Sequence, residues 1–101
     1  MADTPEKKVK NKITNILKEE GVYYFFPATG GFGRSGVPDI VCCVNGYFFA
    51  IECKAGTNKP TALQVREIES IRSAGGVAVV ANEENWDTIR DLVRKIKAQA
   101  K

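Results

Sequence analysis

The chain has 101 residues, a net charge of +3 and 44% hydrophobic residues, which together indicate a single globular domain spanning residues 1–101. It contains no histidine, which excludes Ser-His-Asp and Cys-His catalysis and leaves carboxylates, lysine and a hard metal ion for any chemistry. No apolar run approaches the roughly 20 residues that cross a bilayer, and residues 1–8 lack the apolar core of a signal peptide. We therefore expect a cytoplasmic protein with no membrane partner.

The first predicted element is a helix over residues 5–20. Thr4 followed by a proline is typical of an N-cap with proline in the first turn. Apolar residues then recur at spacings of three and four, which marks one buried face. Gly21 is placed to end the helix as a left-handed cap, and the aromatic and β-branched residues 22–26 predict a strand.

A loop over residues 28–37 contains four glycines and leads into a predicted hairpin. Asn45-Gly46 is the strongest short-range hairpin pattern, because both central residues of a type I′ turn need positive φ. It joins strands 39–44 and 47–53. The three cysteines of this hairpin lie in apolar runs and are odd in number, so we expect core packing rather than disulfides or a metal site.

The second half of the chain completes an αβββαβα order. Leu63, Ile68 and Ile71 are expected on the inner face of the next helix. Both faces of the central hairpin are largely apolar, and such strands are usually covered on both sides. The fold class is therefore α/β, with a central mixed sheet flanked by helices. The remaining predicted elements are helix 61–74, strand 77–81 and helix 84–98.

The two-residue turn also predicts the strand register. With that turn, Asp39 lies directly opposite Glu52, with Cβ atoms about 4.5–5.5 Å apart. Lys54 lies two residues beyond Glu52 and points to the same face. Two facing carboxylates repel each other unless a cation lies between them, and carboxylate oxygens with waters suit Mg²⁺. Three solvated charges at an exposed hairpin end would give the same pattern.

These motifs resemble a known nuclease signature. Gly-Val-Pro-Asp at residues 36–39, a hairpin, and Ile-Glu-Cys-Lys at residues 51–54 resemble the PD-(D/E)xK signature, and αβββαβ is the core of that superfamily. The short chain, the Gly-x-Pro-Asp form and Gln64 on the following helix resemble the VRR-NUC family, particularly its stand-alone viral and bacterial members. The resemblance covers residues 6 to about 80 and implies a restriction-endonuclease-like fold.

The resemblance also implies roles for individual residues. Asp39 and Glu52 would be metal ligands, together with the main-chain carbonyl of Cys53. Lys54 would be the catalytic lysine, stabilising charge on the reacting phosphate. The metal would be Mg²⁺ or Mn²⁺, and no organic cofactor is implied.

Two further residues complete the implied site. Glu6 resembles the glutamate that such nucleases carry on the first helix, where it acts through water or a second metal. An acidic residue in the first helical turn is also favourable without any catalytic role. Gln64 would orient the phosphate or the attacking water, and its alternative is an ordinary exposed helix residue.

Substrate contacts are predicted less directly. Arg34 and Ser35, in the glycine-containing loop, are candidate phosphate-binding residues, although a plain mobile loop is an equal alternative. Basic residues concentrate in residues 1–18 and 90–101, with a net acidic stretch between them. Basic ends around a carboxylate site suit DNA, and solvated helix faces explain them equally well.

The resemblance implies a metal-dependent endonuclease acting on branched DNA, in its sharpest form a resolvase of four-way (Holliday) junctions. A homodimer would supply the two sites that two symmetric cuts need. The alternatives are a nuclease without junction preference, a nucleic-acid-binding module that has lost the chemistry, and a purely structural partner protein.

Overall fold

The computed structural model of the protein describes residues 4–28 and 33–99. Within these ranges the chain forms helices and strands in the order that the sequence predicts, and no described helix is long and apolar enough to cross a membrane. The elements are α1 (Pro5–Glu19), β1 (Tyr23–Phe25), β2 (Ile40–Val44), β3 (Tyr47–Cys53), α2 (Ala62–Ser73), β4 (Val77–Ala81) and α3 (Thr88–Ala98).

The strands form one mixed sheet in the order β1-β2-β3-β4. The first three strands are antiparallel neighbours, whereas β3 and β4 run parallel, because α2 carries the chain back between them. Helices α1 and α3 pack on one face of the sheet and α2 packs on the other, against β4. The predicted α/β architecture, a mixed sheet between helices, is confirmed.

The local signals at α1 and at the hairpin act as predicted. The Thr4 side chain accepts a hydrogen bond from the backbone N–H of Lys7 at 3.1 Å and so caps α1. Gly21 follows the helix with a φ of 69°. At the hairpin, Asn45 and Gly46 have φ values of 50° and 81°, as a type I′ turn requires. The predicted register is confirmed along the whole β2–β3 ladder.

The main hydrophobic core lies between the sheet and the pair α1 and α3. One face of β2 and β3 supplies its centre, and the apolar stripes of the two helices cover it. A smaller cluster of Ala50, Ile68 and Ala78 joins α2 to the opposite face. The fully buried members of the main core include Val9, Ile13, Leu17, Ile40, Phe49, Ile51, Cys53 and Val93.

The prediction for the inner face of α2 is wrong at Leu63. Ile68 is buried and Ile71 packs beside it, but Leu63 is 51% exposed. Leu63 and Ile68 are five positions apart in the chain, which turns the two side chains roughly 140° apart around an α-helix. Leu63 therefore lies on the outer side of the helix.

Helix α3 begins at Thr88, four residues later than predicted. The preceding segment is a turn in which the Asn85 side chain accepts from the backbone N–H of Asn82 at 2.8 Å, and the Asn82 side chain accepts from that of Glu84 at 2.9 Å. Asparagine side chains compete with a helix for such backbone groups. The helix therefore begins only after both asparagines.

The sheet face opposite the main core differs from two expectations. Cys42 and Cys53 are buried as predicted, but Cys43 is exposed, because alternate residues of β2 point to opposite faces. Helix α2 covers the side near β4 only, so the opposite face is not covered throughout. We call its exposed aromatic residues, Tyr23, Phe25 and Phe48, the aromatic face.

An ion-pair cluster around Glu20 ties the end of α1 to α3. The Glu20 carboxylate lies 2.8 Å from Arg90 and 3.1 Å from Arg94, and the Lys97 ammonium donates to the Glu20 carbonyl oxygen. Chiefly through the hydrogen bond from Arg94, this cluster lowers the pKa of Glu20 below its usual value. The cluster holds the two helices of the main core together.

This cluster predicts a loss of stability in acid. Because the folded-state pKa of Glu20 is lowered, its contribution is fully present above the unfolded pKa and disappears as the pH falls through the folded one, below about pH 4.5. Urea midpoints from about pH 7 to pH 3 should therefore decline less in Glu20→Gln than in the unmodified protein. Glu69→Gln, on the exposed side of α2, is the control. Equal acid sensitivity of all three proteins would contradict the assignment.

Candidate active site

The predicted site residues converge at one end of the sheet. Asp39 immediately precedes β2, and the end of β3 supplies Glu52 and then Lys54. The first turns of α1 and α2 approach the same end and bring Glu6 and Gln64. The structure therefore brings together five predicted side chains from four elements.

Asp39 is held by the hairpin backbone. Its Oδ2 accepts a hydrogen bond from the backbone N–H of Cys53 at 2.8 Å. One step beyond the last pair of the β2–β3 ladder, its position is opposite Glu52, as the register predicts. The contact fixes one carboxylate at the open end of the strand pair.

Glu52 is a buried carboxylate with an incomplete set of partners. It is 2% exposed, and its Oε2 accepts from Gln64 Nε2 at 3.0 Å. Its Oε1 has no hydrogen-bond partner in the described part of the chain. Burial, followed by the charge of Asp39, raises the pKa of Glu52 to about 8, against the lowering effect of Lys54. An uncompensated buried carboxylate is costly unless a cation or a proton joins it.

Lys54 bridges two acidic residues. Its ammonium lies 3.6 Å from Glu52 Oε2 and 3.8 Å from Glu6 Oε1, and its side chain is 13% exposed. Glu6 therefore reaches the cluster from the first turn of α1, which fits its predicted place in the site. The cluster pairs one cation with carboxylates from two different elements.

Gln64 has a position that the sequence analysis did not predict. Its side-chain oxygen accepts from the backbone N–H of Thr61 at 2.8 Å, while the Thr61 hydroxyl accepts from the backbone N–H of Gln64 at 3.2 Å. This is a reciprocal capping box, and the Thr-x-x-Gln spacing was its signal. The box fixes the Gln64 side chain so that its amide donates to Glu52.

Gly36 sets the position of the loop against α2. Its φ is 82°, and a Cβ at this residue would lie 2.7 Å from the carbonyl carbon and oxygen of Leu63. Only glycine combines that backbone angle with such a close approach. The glycine before Pro38 and Asp39 therefore seats the loop on the turn of α2 that carries Gln64.

The acidic residues fit a divalent metal ion. The described residues contain no cluster of three or more histidine, cysteine or acidic side chains that would enclose a metal. Mg²⁺ seldom needs such a cage, since one or two carboxylates with waters are enough. The unpartnered Glu52 Oε1 beside Asp39 is the donor that such an ion would satisfy. The Cys53 carbonyl as a third ligand stays a prediction.

The candidate phosphate-binding residues lie in the loop before β2. Arg34 pairs with Glu67 of α2 at 3.3 Å and borders a groove that also contains Phe48 and Ile71. Ser35 is exposed in the same loop. Arg34 is thus paired with Glu67, and the phosphate-binding roles of both residues stay predictions.

The two basic ends of the chain are also placed differently from each other. Arg90 and Arg94 are engaged with Glu20, and Lys12 of α1 lies 3.9 Å from Asp87. Lys7 and Lys10, in contrast, line a groove that includes Asp39. These two lysines of α1 therefore share a groove with a carboxylate of the cluster. Lys101 lies outside the described residues.

Comparison with known proteins adds an independent finding. Residues 5–98 match the model of the Hjc family, described as archaeal Holliday junction resolvase. The chain is 33% identical over 85 residues to "Putative nuclease p44" of Acyrthosiphon pisum secondary endosymbiont phage 1, an alignment that covers 83% of this chain and 88% of that relative.

Solved structures share the fold. A VRR_NUC domain superposes with a TM-score of 0.72 at 26% identity, covering 88% of this chain and 97% of the other. A second VRR_NUC domain protein gives 0.70 at 20% identity, covering 95% and 90%. Hjc, a Holliday junction resolvase from Archaeoglobus fulgidus, gives 0.58 at 24% identity, covering 75% and 66%. These similarities confirm the VRR-NUC-like fold that the motifs indicate.

Proposed function

Because the chain belongs to the Hjc family of archaeal Holliday junction resolvases, we propose that it is a metal-dependent endonuclease that hydrolyses phosphodiester bonds in branched DNA. The observation that carries the proposal is the buried Glu52, with one unpartnered oxygen, beside Asp39 and Lys54. A structural protein would gain nothing from that arrangement, because burying a carboxylate beside another is unfavourable. DNA as the substrate also implies an intracellular location.

Asp39 and Glu52, with the Cys53 carbonyl, would hold the metal. When bound there, Mg²⁺ or Mn²⁺ would supply Lewis acidity at the scissile phosphate. The chain contributes the positioning of both carboxylates. The Cys53 N–H orients Asp39, and the Gln64 amide orients Glu52. Removing contacts that orient metal ligands commonly weakens metal binding by about 10- to 100-fold.

Lys54 would act on the reacting phosphate. Its ammonium is ion-paired with Glu52 and Glu6, which places a fixed positive charge at the edge of the carboxylate cluster. A positive charge that is already in position stabilises the negative charge that develops in the transition state, and no groups have to rearrange during the reaction. We therefore assign Lys54 the role of electrostatic stabiliser. Gln64 would contribute through Glu52 rather than by contacting the phosphate itself.

We further propose that the protein acts as a homodimer. One chain offers one carboxylate cluster, whereas symmetric resolution of a four-way junction needs two incisions. The aromatic face spans three neighbouring strands, since Cys43 lies beside both Tyr23 and Phe48 in the ladder. Contiguous exposed apolar surface of this kind is typical of protein interfaces. We propose that a second copy of the chain packs against the aromatic face.

The test is cleavage of matched labelled DNAs with Mg²⁺ or Mn²⁺. Four-way junctions should be cut in preference to flapped, linear and single-stranded DNA, and the mass by light scattering should be about twice the 11.1 kDa of the chain. Binding should weaken steeply with salt, as phosphate contacts require. Equal cutting of linear and branched DNA by a monomer would leave a nuclease without junction preference. Binding without cleavage in any metal would leave a nucleic-acid-binding module.

A further inference from the structure

A groove of about 430 Å³ lies between α1 and the end of the sheet that carries Asp39. Its lining includes the N-cap Thr4 and, on α1, Lys7, Lys10 and Thr14, whose spacing of three and four places them on one side of the helix. Glu6 and Asn11 of α1 also line it. Ten residues of helix correspond to about 15 Å. The groove, which we call the α1 groove, thus leads away from the carboxylate cluster and has the volume of a small-ligand site.

An exposed aromatic ring forms part of this groove. Phe26, just after β1, is 47% exposed, and the Lys10 ammonium lies 4.3 Å from its ring centroid. The Tyr24 ring is the other neighbour of Phe26. The two ring centroids are 5.8 Å apart and the ring planes are inclined at 50°. Tyr24 packs against the main core. The Phe26 ring is therefore held in place while much of it faces solvent.

We propose that the α1 groove binds an unpaired nucleotide beside the phosphate to be cleaved, with its base stacked on Phe26 and its backbone phosphate held by Lys10. This inference rests on the proposed function, because it takes Asp39, which lines the same groove, to mark where the DNA strand is cut. Stacking on an aromatic side chain requires a base that has left the duplex. The groove therefore favours DNA in which a base near the cut can leave the duplex, as at a branch point.

The combination of groups favours a nucleotide over other occupants. Lysines alone would follow a duplex backbone without regard to pairing. A lone exposed phenylalanine would be an ordinary surface residue. Here a cation and an anchored ring lie 4.3 Å apart, in a groove that includes a site carboxylate. A base that stacks on this face of the Phe26 ring displaces the Lys10 ammonium, which can then hold the phosphate of the same nucleotide.

The test measures binding in EDTA, so that it does not depend on cleavage. The probes are labelled duplexes with a 5′ or a 3′ single-stranded tail and a fully paired duplex of equal length. Phe26→Leu should weaken binding of one tailed duplex by about 5- to 100-fold, with much less effect on the paired one. Phe26→Trp, which keeps an aromatic ring at this position, should bind like the unmodified protein. A fluorescent base analogue in the tail should lose its stacking signal in Phe26→Leu alone.

The lysine is tested with a matched control on the same helix. Lys10→Gln should weaken binding and lower the salt dependence by about one phosphate contact. Lys12→Gln also removes a lysine that lies over an aromatic ring, that of Trp86, but Lys12 does not line the groove. It should bind tailed DNA within about twofold of the unmodified protein. Urea unfolding of every variant verifies the fold.

Two results separate this inference from the proposed function. If the protein cuts DNA but Phe26→Leu binds tailed and paired duplexes as the unmodified protein does, the inference is overturned and the nuclease stands. If tailed DNA binds through Phe26 yet no DNA is cut in any metal, the nuclease assignment fails and the nucleotide site stands. Equal weakening on tailed and paired duplexes also overturns the inference.

Discussion

Asp39→Asn is expected to reduce DNA cleavage by more than about 100-fold and to remove divalent-metal binding, while the protein remains folded. Loss of a residue that only orients a metal ligand commonly costs 10- to 100-fold, so loss of a ligand should cost more. The asparagine side-chain oxygen can still accept the hydrogen bond from the Cys53 N–H, which Asp39 accepts at 2.8 Å. Cleavage rates and Mn²⁺ titration calorimetry measure the two losses.

Stability provides the second measurement on this variant. Neutralising Asp39 removes its repulsion of the buried Glu52, so the urea midpoint in EDTA should be unchanged or higher. Asp91→Asn removes the same charge from the exposed surface of α3 and should leave cleavage and metal binding intact. Full activity of Asp39→Asn would show that the metal site lies elsewhere.

Lys54→Ala should lower turnover by about 100- to 1,000-fold, the usual cost of removing one group that stabilises transition-state charge. Metal binding should persist, because both carboxylates remain and a competing cation 3.6 Å from Glu52 has been removed. DNA binding should also persist, since the lysine acts on charge that develops during the reaction. Single-turnover rates at saturating DNA, together with Mn²⁺ titration, separate these effects.

The control for this variant is Lys95→Ala, which removes an exposed lysine from α3. It should cut DNA at the unmodified rate. If Lys54→Ala loses metal affinity together with activity, the lysine holds Glu52 and Glu6 in position instead of acting on the phosphate. That outcome would reassign Lys54 as a positioning residue and leave the carboxylate site unchanged.

Local signals were sufficient for the element order and for the centre of the site. Asn45 and Gly46 determine the hairpin because positive φ is a property of the turn residues themselves. The register then follows by counting along two strands, and it places Asp39 opposite Glu52 without knowledge of the rest of the fold. The cap at Thr4 is equally local.

The structure corrected the expectations for Leu63, for Cys43 and for the start of α3. The exposure of Cys43 depends on how far α2 extends across the sheet, and the alternation of side chains along β2 does not contain that information. Leu63 is exposed because it lies roughly 140° around the helix from the buried Ile68. The late start of α3 reflects competition between two asparagine side chains and the helix for the same backbone groups. Apolar spacing in residues 84–98 could not reveal that competition.

The sequence by itself therefore determined the fold class, the hairpin register and the pairing of Asp39 with Glu52, because each depends on residues close together in the chain. Only the tertiary structure decided that Glu52 is buried with an unpartnered oxygen, that Gln64 orients it, and that Lys10 and Phe26 share a groove. These features require α1, β1 and α2 to pack around one end of the sheet. Burial and electrostatic environment depend on that packing, since they are set by all surrounding atoms rather than by sequence neighbours.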